Sequence, residues 1–418
     1  MTNGRTPKTQ RSQSLGCLAN PRGTANRSGT RSLTLTLGLA LGWTLGFAGC
    51  ALRPAPAVPA AGLHVATAPA PSESERYCAW YGTAAEGVLY FGQAPFWSAM
   101  RAAGGDPTAD LHQPGPQRIG RFDLAEERWL PALEVGGPEK RSGVWDVAFH
   151  AGRVFFSTFY EPAGAVDPET GFVQTLGLGG GLNEWAPGPD GSLLVTRYGS
   201  GHDEQGNGSV LRLDADGALL EEWPLSAPAG YRNAPKTPSW DSTRNEAWVT
   251  TDLLPVLDPS DAGSQREAST EDRHDAFVLG RDGRPTRTVA EPEVQFVAQG
   301  VDGRFYRAEV EHSGAGTHTL WAVIEPADPA DETVRVLLDP AFPAALDFVQ
   351  DVQPSRDGRV AITRWSGRVH VLDRAARAKT VDLPRLDPDG LYYTAVLWGD
   401  RVCATYCADV TVVCADAP

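Results

Sequence analysis

The first 49 residues contain neither aspartate nor glutamate, and the chain as a whole has only two methionines. The apolar run at residues 33–47 falls short of the ~20 residues that a membrane-spanning helix needs, so it does not read as a span. No stretch sustains the 3.6-residue apolar period of an amphipathic helix, which excludes a helical fold. The single helical candidate is the segment 95–103. Several catalytic signatures are also missing. There is no nucleophile elbow, no phosphate-cradling glycine loop followed by lysine, no Cys-x-x-Cys pair and no haem-attachment motif. The formal net charge is −15. Six basic residues, Arg5, Lys8, Arg11, Arg22, Arg27 and Arg31, lie within those first 49, so the remainder carries −21. An acidic exterior of that size excludes nucleic acid and anionic membrane surfaces as partners.

What is present at the N-terminus is a basic region, a short apolar region and then Phe47-Ala48-Gly49-Cys50. These are the parts of an export signal. The four-residue end resembles the lipobox of bacterial lipoproteins, with Phe47 where Leu is usual. The resemblance implies cleavage before Cys50, lipidation of its sulfur and attachment to a membrane. Neither Ala51 nor Leu52 is the Asp that retains such proteins in the inner membrane, which implies the outer membrane. Residues 1–49 are thus expected to be a leader, and 50–75, rich in Ala and Pro, a semi-extended tether. Residues 76–418 form the folded domain.

Cys17 and Cys50 belong to the leader and the anchor, leaving Cys78, Cys403, Cys407 and Cys414. An even number in an exported protein predicts two disulfides. The reading favours Cys403–Cys414 within the last repeat, about one step out of register, and Cys78–Cys407 across a seam. Cys78–Cys414 is the main competitor.

Glycine, proline and tryptophan are abundant, at 45, 33 and 12 residues. Short alternating apolar runs recur in pairs around Gly- or Asp-containing turns. One pair is 145–150 with 154–159, and another is 183–186 with 193–198 around Asp190-Gly191. Further pairs turn near Asn245, at Asp302-Gly303, at Asp357-Gly358 and at Gly399-Asp400, and a weaker copy turns near Gly87. Most are followed by two more strand-like runs. Four alternating strands repeated every ~40–60 residues make a propeller blade. The expected fold is therefore an all-β propeller of four-stranded blades, seven in number, with six as the alternative. The last copy has three strands, and residues 63–67 are expected to supply its fourth, since a closed ring leaves no open sheet edge.

In such a ring the first strand of each blade lines the central channel. Aligning the copies on their turns places Asp146, Glu184 and Asp351 at one equivalent position. Asn183, Gln295 and Gln350 fall close by. On the second strand Arg197 and Arg364 coincide, each followed by an aromatic residue, Tyr198 and Trp365. Carboxylates, amides, guanidinia and aromatic faces are expected to converge on one rim, which suits a small polar ligand or an envelope protein partner. Asp–Arg pairs closing the channel mouth are the competing structural role. His202, His274, His312 and His318 are expected in loops on this face, with His112 in an early insertion. The segment 254–275 reads as a long acidic loop.

Two pieces carry a resemblance. The hairpin from Gly181-Leu182-Asn183-Glu184 to Pro189-Asp190-Gly191, and the piece Gly143-Val144-Trp145-Asp146, resemble gluconolactonase-like and senescence-marker propellers. That resemblance implies a calcium- or zinc-dependent lactonase. It matches Asn183 as a ligand, while Ser142 stands where a Glu is expected and Gln350 where an Asp is expected. Two functions follow as expectations. One is a lipid-anchored envelope propeller that binds a ligand or partner at the channel mouth. The alternative is a metal-dependent hydrolase of lactones or esters, using calcium or another divalent ion held by Asp146, Asn183, Glu184 and Asp351.

Overall fold

A computed structural model describes residues 58–68, 77–94, 115–137, 139–140, 143–158, 161–198, 207–255, 273–313, 317–342, 347–387, 390–407 and 409–418. The leader with Cys50, the segment 95–103, His112, Ser142, His202 and residues 256–272 lie outside these.

Seven blades of four antiparallel strands stand around a common axis as a seven-bladed β-propeller; the strands of each blade are sequential except the outermost of blade 7. The innermost strands are Cys78–Ala85, Val147–His150, Leu182–Pro187, Tyr231–Asp241, Glu293–Gln299, Val349–Pro354 and Leu391–Trp398, in blades 1 to 7. Period-2 alternation gives each blade two apolar faces, and each face needs a neighbour. Accordingly a separate buried cluster fills the gap between every adjacent pair. Phe155, Leu182 and Leu211 lie between blades 2 and 3, and Phe342, Val349 and Ile362 between blades 5 and 6. Phe91, Phe122 and Val412 join blade 7 back to blade 1 and close the ring.

The latch appears as expected. His64–Thr67 pairs antiparallel with Val410–Asp416 as the outer strand of blade 7. Val58–Pro59 adds a parallel edge to blade 6, so chain within the expected tether is already bonded to the propeller. Both expected disulfides are present. Cys78–Cys407 bridges the seam between blades 1 and 7. Cys403 and Cys414 lie directly opposite on neighbouring strands, not one step apart.

Candidate functional site at the channel mouth

The innermost strands carry an irregularity that repeats around the ring. In blades 1, 3, 4, 5, 6 and 7 the register with the second strand slips at one equivalent place. A bulge of this kind re-aims side chains and leaves backbone groups off the ladder. Matching the registers gives two ring positions. The first holds Trp80, Trp145, Asn183, Lys236, Gln295, Gln350 and Tyr393. The second holds Tyr81, Asp146, Glu184, Thr237, Phe296, Asp351 and Thr394. The expected equivalence of Asp146, Glu184 and Asp351 is therefore present in the structure.

The backbone N–H freed at the second position must find an acceptor. In blades 3, 4 and 7 it donates to a hydroxyl on the second strand: Glu184 to Thr196 at 3.2 Å, Thr237 to Thr250 at 3.2 Å and Thr394 to Thr405 at 3.1 Å. Hydroxyls at this position also donate onward to the next blade. Ser157 reaches the Asn183 carbonyl at 2.5 Å, Thr196 the Lys236 carbonyl at 2.5 Å and Thr405 the Trp80 carbonyl at 3.0 Å. The side chains at the second position add their own bridges. Asp146 accepts the Trp185 N–H at 2.9 Å, Glu184 accepts from the Thr237 hydroxyl at 2.6 Å and Asp351 from the Thr394 hydroxyl at 2.7 Å. Gln295 accepts the Val349 N–H at 3.1 Å.

These bridges do not exhaust the polar groups. The Oε1 of Glu184 has no hydrogen-bond partner among the described residues. Asn183 is 1% exposed and donates to the Tyr198 hydroxyl and the Pro235 carbonyl, while its Oδ1 is buried without a partner. The acids lie near one another in a poorly solvated place. Burial, and then the charge of Glu184, push the Asp146 carboxyl well above the usual range. Burial raises Glu184 to about 7 against the Thr237 hydrogen bond, with the charge of Asp351 adding to it. Burial likewise raises Asp351 to about 7, against hydrogen bonds from Thr394 and Gln353.

Beside the acids lies a cluster of rings spanning blades 7, 1 and 2. Trp80 packs on Trp145 and Tyr393 with centroids 4.2 and 4.7 Å apart, and Tyr81 meets Trp145 and Tyr393 edge-on. The Cys78–Cys407 disulfide backs this cluster. The Tyr81 hydroxyl donates to Gln350 at 3.0 Å. The sequence expectations do not include these rings in a site, although Trp80, Trp145 and Tyr393 occupy the same repeat position as Asn183 and Gln350, and Tyr81 that of Glu184 and Asp351. Extending the alignment to the first and last copies would have found them.

The two arginines do not pair with the carboxylates of the mouth, and this corrects the expectation that they converge on them. Neighbours on a strand point to opposite faces. While the Thr196 hydroxyl turns toward blade 4, Arg197 turns the other way, to Glu222 at 3.1 Å and the Leu178 carbonyl. Arg364, 2% exposed, binds Asp339 at 2.6 Å and Asp347 at 2.5 Å. It lines a cavity of about 460 Å³ together with Asp339, Asp347, Arg368 and Asp382. Neither arginine contacts Asp146, Glu184 or Asp351. Trp365 packs edge-on against Phe348 with centroids 5.0 Å apart.

The histidines differ from expectation too. His274, His312 and His318 sit on strands, because the second and third strands of blades 4 and 5 extend further than read. His274 Nδ1 lies 2.5 Å from Asp252, whose other oxygen is 2.8 Å from Lys236. Burial opposes ionisation of Asp252, but Lys236 and His274 prevail and hold it well below the usual range. Burial disfavours charge on His274, yet the hydrogen bond it donates to Asp252 carries its pKa upward.

Among the described residues, one set of three His, Cys or carboxylate ligand atoms lies mutually within 4.8 Å: Glu127, Cys403 and Cys414, whose two sulfurs are joined in a disulfide. Asp146, Glu184 and Asp351 do not form such a set.

No protein-family model matches this sequence, and comparison with curated proteins gives no match. The fold does have counterparts among solved structures. A catalytically inactive virginiamycin B lyase from Staphylococcus aureus with quinupristin is similar at TM-score 0.51 and 12% identity, covering 85% of this chain and 99% of that one. The Pan2 WD40 domain of Neurospora crassa is similar at TM-score 0.50 and 11% identity, covering 87% and 97%. At such identities the likeness is one of fold alone.

Proposed function

We propose that this chain is a lipid-anchored cell-envelope propeller whose channel mouth binds a small ligand through a positively charged group. One observation carries the reading: Asp146, Glu184 and Asp351 are buried beside the rings of Trp80, Tyr81, Trp145 and Tyr393, with no arginine of the described residues in contact with them. The charge of Lys236 offsets part of the cost at Glu184, while no cation of the described residues acts on Asp146 or Asp351. Buried carboxylates without a partner cation are unfavourable, and a ligand cation would relieve that cost. Ring faces attract an ammonium or guanidinium through their quadrupole, by about 2 kcal/mol when desolvated. Tryptophan fluorescence titrated with choline, spermidine and arginine, against neutral and anionic analogues, tests this. Binding confined to the cations, and tightening as pH rises through 7, is the expected result. Equal response to the neutral analogues, or none to any cation, would overturn it.

The envelope location rests on the leader and on the two disulfides, which persist in oxidising compartments. Lipid at Cys50 would leave eight residues before Val58 joins blade 6, a reach of at most about 28 Å. The propeller would ride close to the membrane, edge toward it. Cys50→Ala should abolish acyl labelling, and a label that survives in this variant would refute the anchor.

The second reading is a divalent-metal-dependent hydrolase of the gluconolactonase-like kind, with Asp146, Asn183, Glu184 and Asp351 around calcium or a similar ion. The Oδ1 of Asn183, buried without a partner among the described residues, favours it. Lactone hydrolysis that depends on added calcium and is lost in Asn183→Ala would establish this reading in place of the first.

A further inference from the structure

We infer that His274, Glu293 and His312 form a binding site for zinc or a similar borderline divalent transition ion, separate from the carboxylates of the channel. The argument begins with a tautomer. Asp252 is hydrogen-bonded to His274 Nδ1 at 2.5 Å and is itself held by Lys236 at 2.8 Å. The Nδ1 therefore carries a proton, and in the neutral ring the lone pair is on Nε2. That Nε2 faces Glu293 Oε1 at 3.6 Å, too far for a hydrogen bond. In the neutral ring that lone pair is directed at a carboxylate oxygen in a place where Glu293 is 7% exposed, and a bound cation would take the place that the second imidazole proton otherwise fills. A cation between them satisfies both.

The surroundings supply the rest of a metal site. Glu293 Oε2 lies 2.8 Å from His312 Nε2, and Gln295 donates to Glu293 Oε1 at 2.9 Å. A ligating histidine held through its other nitrogen by a carboxylate, and a ligating carboxylate held by an amide, are the outer partners that metal sites use to orient their ligands. Nitrogen and oxygen donors in this mixture suit zinc, cobalt or nickel, whereas calcium and magnesium take oxygen. All four cysteines of the described domain are oxidised, so no thiolate competes. The three ligand atoms are not mutually within 4.8 Å. His312 is the member with freedom to close that gap, since half of its side chain is exposed. His318 packs edge-on against it with ring centroids 4.6 Å apart, and its Nδ1 is buried without a partner. Binding draws His312 toward His274.

Calorimetric titration of the purified full-length protein with zinc chloride tests the site. One ion per chain is expected. Affinity should fall at least tenfold in His274→Ala and in His312→Ala, and about tenfold in Asp252→Asn, which removes only the outer partner. His150→Ala serves as control: its Nε2 bonds the Gly191 carbonyl in an exposed turn, and its zinc affinity should be unchanged. Zinc should raise the melting temperature of the parent but not of His274→Gln, which reports on the site even if an alanine variant folds poorly. Cobalt(II) should give a visible d–d band that zinc displaces. No saturable zinc binding, or equal affinity in the parent, His274→Ala and His312→Ala, would overturn the inference.

Discussion

The hydroxyl of Thr196 in blade 3 donates to the carbonyl of Lys236 in blade 4 at 2.5 Å while accepting the Glu184 N–H of its own blade. One side chain thus serves two backbone groups that the bulge has taken off their ladders, and in doing so ties neighbouring blades. Thr196→Val keeps the shape and removes both bonds. A loss of about 1–3 kcal/mol is expected, the cost of leaving buried polar groups unpaired. Urea unfolding measures it, and an unchanged midpoint would show that the hydroxyl is dispensable.

The two disulfides should differ in weight. Cys78–Cys407 closes a loop with a sequence separation of 329, and Cys403–Cys414 one of 11. On chain-entropy grounds their removal should cost about 6 and about 3 kcal/mol respectively. Non-reducing peptide mapping should recover both pairs. Melting of Cys78→Ser and Cys403→Ser should rank them, with the seam variant the less stable.

Arg364 is scaffold rather than site. Arg364→Ala leaves Asp339 and Asp347 without their buried partner, and a loss of about 3–5 kcal/mol is expected. Ligand binding at the mouth should survive in the folded fraction. A variant with parental melting would show that the pairs to Asp339 and Asp347 contribute nothing.

The raised carboxylates give stability a sign with pH. Glu184 and Asp351 titrate near 7 when folded and near the ordinary carboxylate values when unfolded. Between those values the folded state holds more protons than the unfolded, so stability falls as pH rises and the penalty is complete above about 7. Each group contributes a slope of at most about 1.4 kcal/mol per pH unit. His370 acts oppositely: burial, with Arg364 and Arg368, lowers it to about 3, so stability is lost as pH falls below its unfolded value. The clean measurement is therefore a difference. Asp351→Asn should gain on the parent as pH rises from 5 to 8, and a constant difference would show that Asp351 does not titrate there.

Much of the fold was legible because it depends on local chemistry. Alternation of apolar residues between Asp-Gly and Gly-containing turns specifies hairpins wherever they end up, and their number put the blade count at seven, with six as the alternative. The equivalence of Asp146, Glu184 and Asp351 followed from the same repeat. The short fourth strand of the last blade was legible too, because an open sheet edge has to be covered. The long strands carrying His274 and His312 were not. Charged and histidine-bearing strand ends look like loop when read alone, and they are held extended by partners such as Asp252 and Glu293.

The sequence by itself determined that repeated four-stranded units would form, seven or six in number, and that four cysteines were available to staple them; the structure decided for seven. Only the tertiary structure decided where the side chains on those strands point. A period-2 pattern says that Thr196 and Arg197 face opposite ways, as do Thr363 and Arg364, but not which of each pair meets the following blade. A bulge inserts an extra residue and breaks the pattern just where the channel begins. Neighbours across blades are set by closure of the ring, through contacts hundreds of residues apart. Arg364 faced away from the channel and met Asp339 and Asp347, only 25 and 17 residues before it, and the carboxylates it was expected to neutralise were left beside a cluster of aromatic rings.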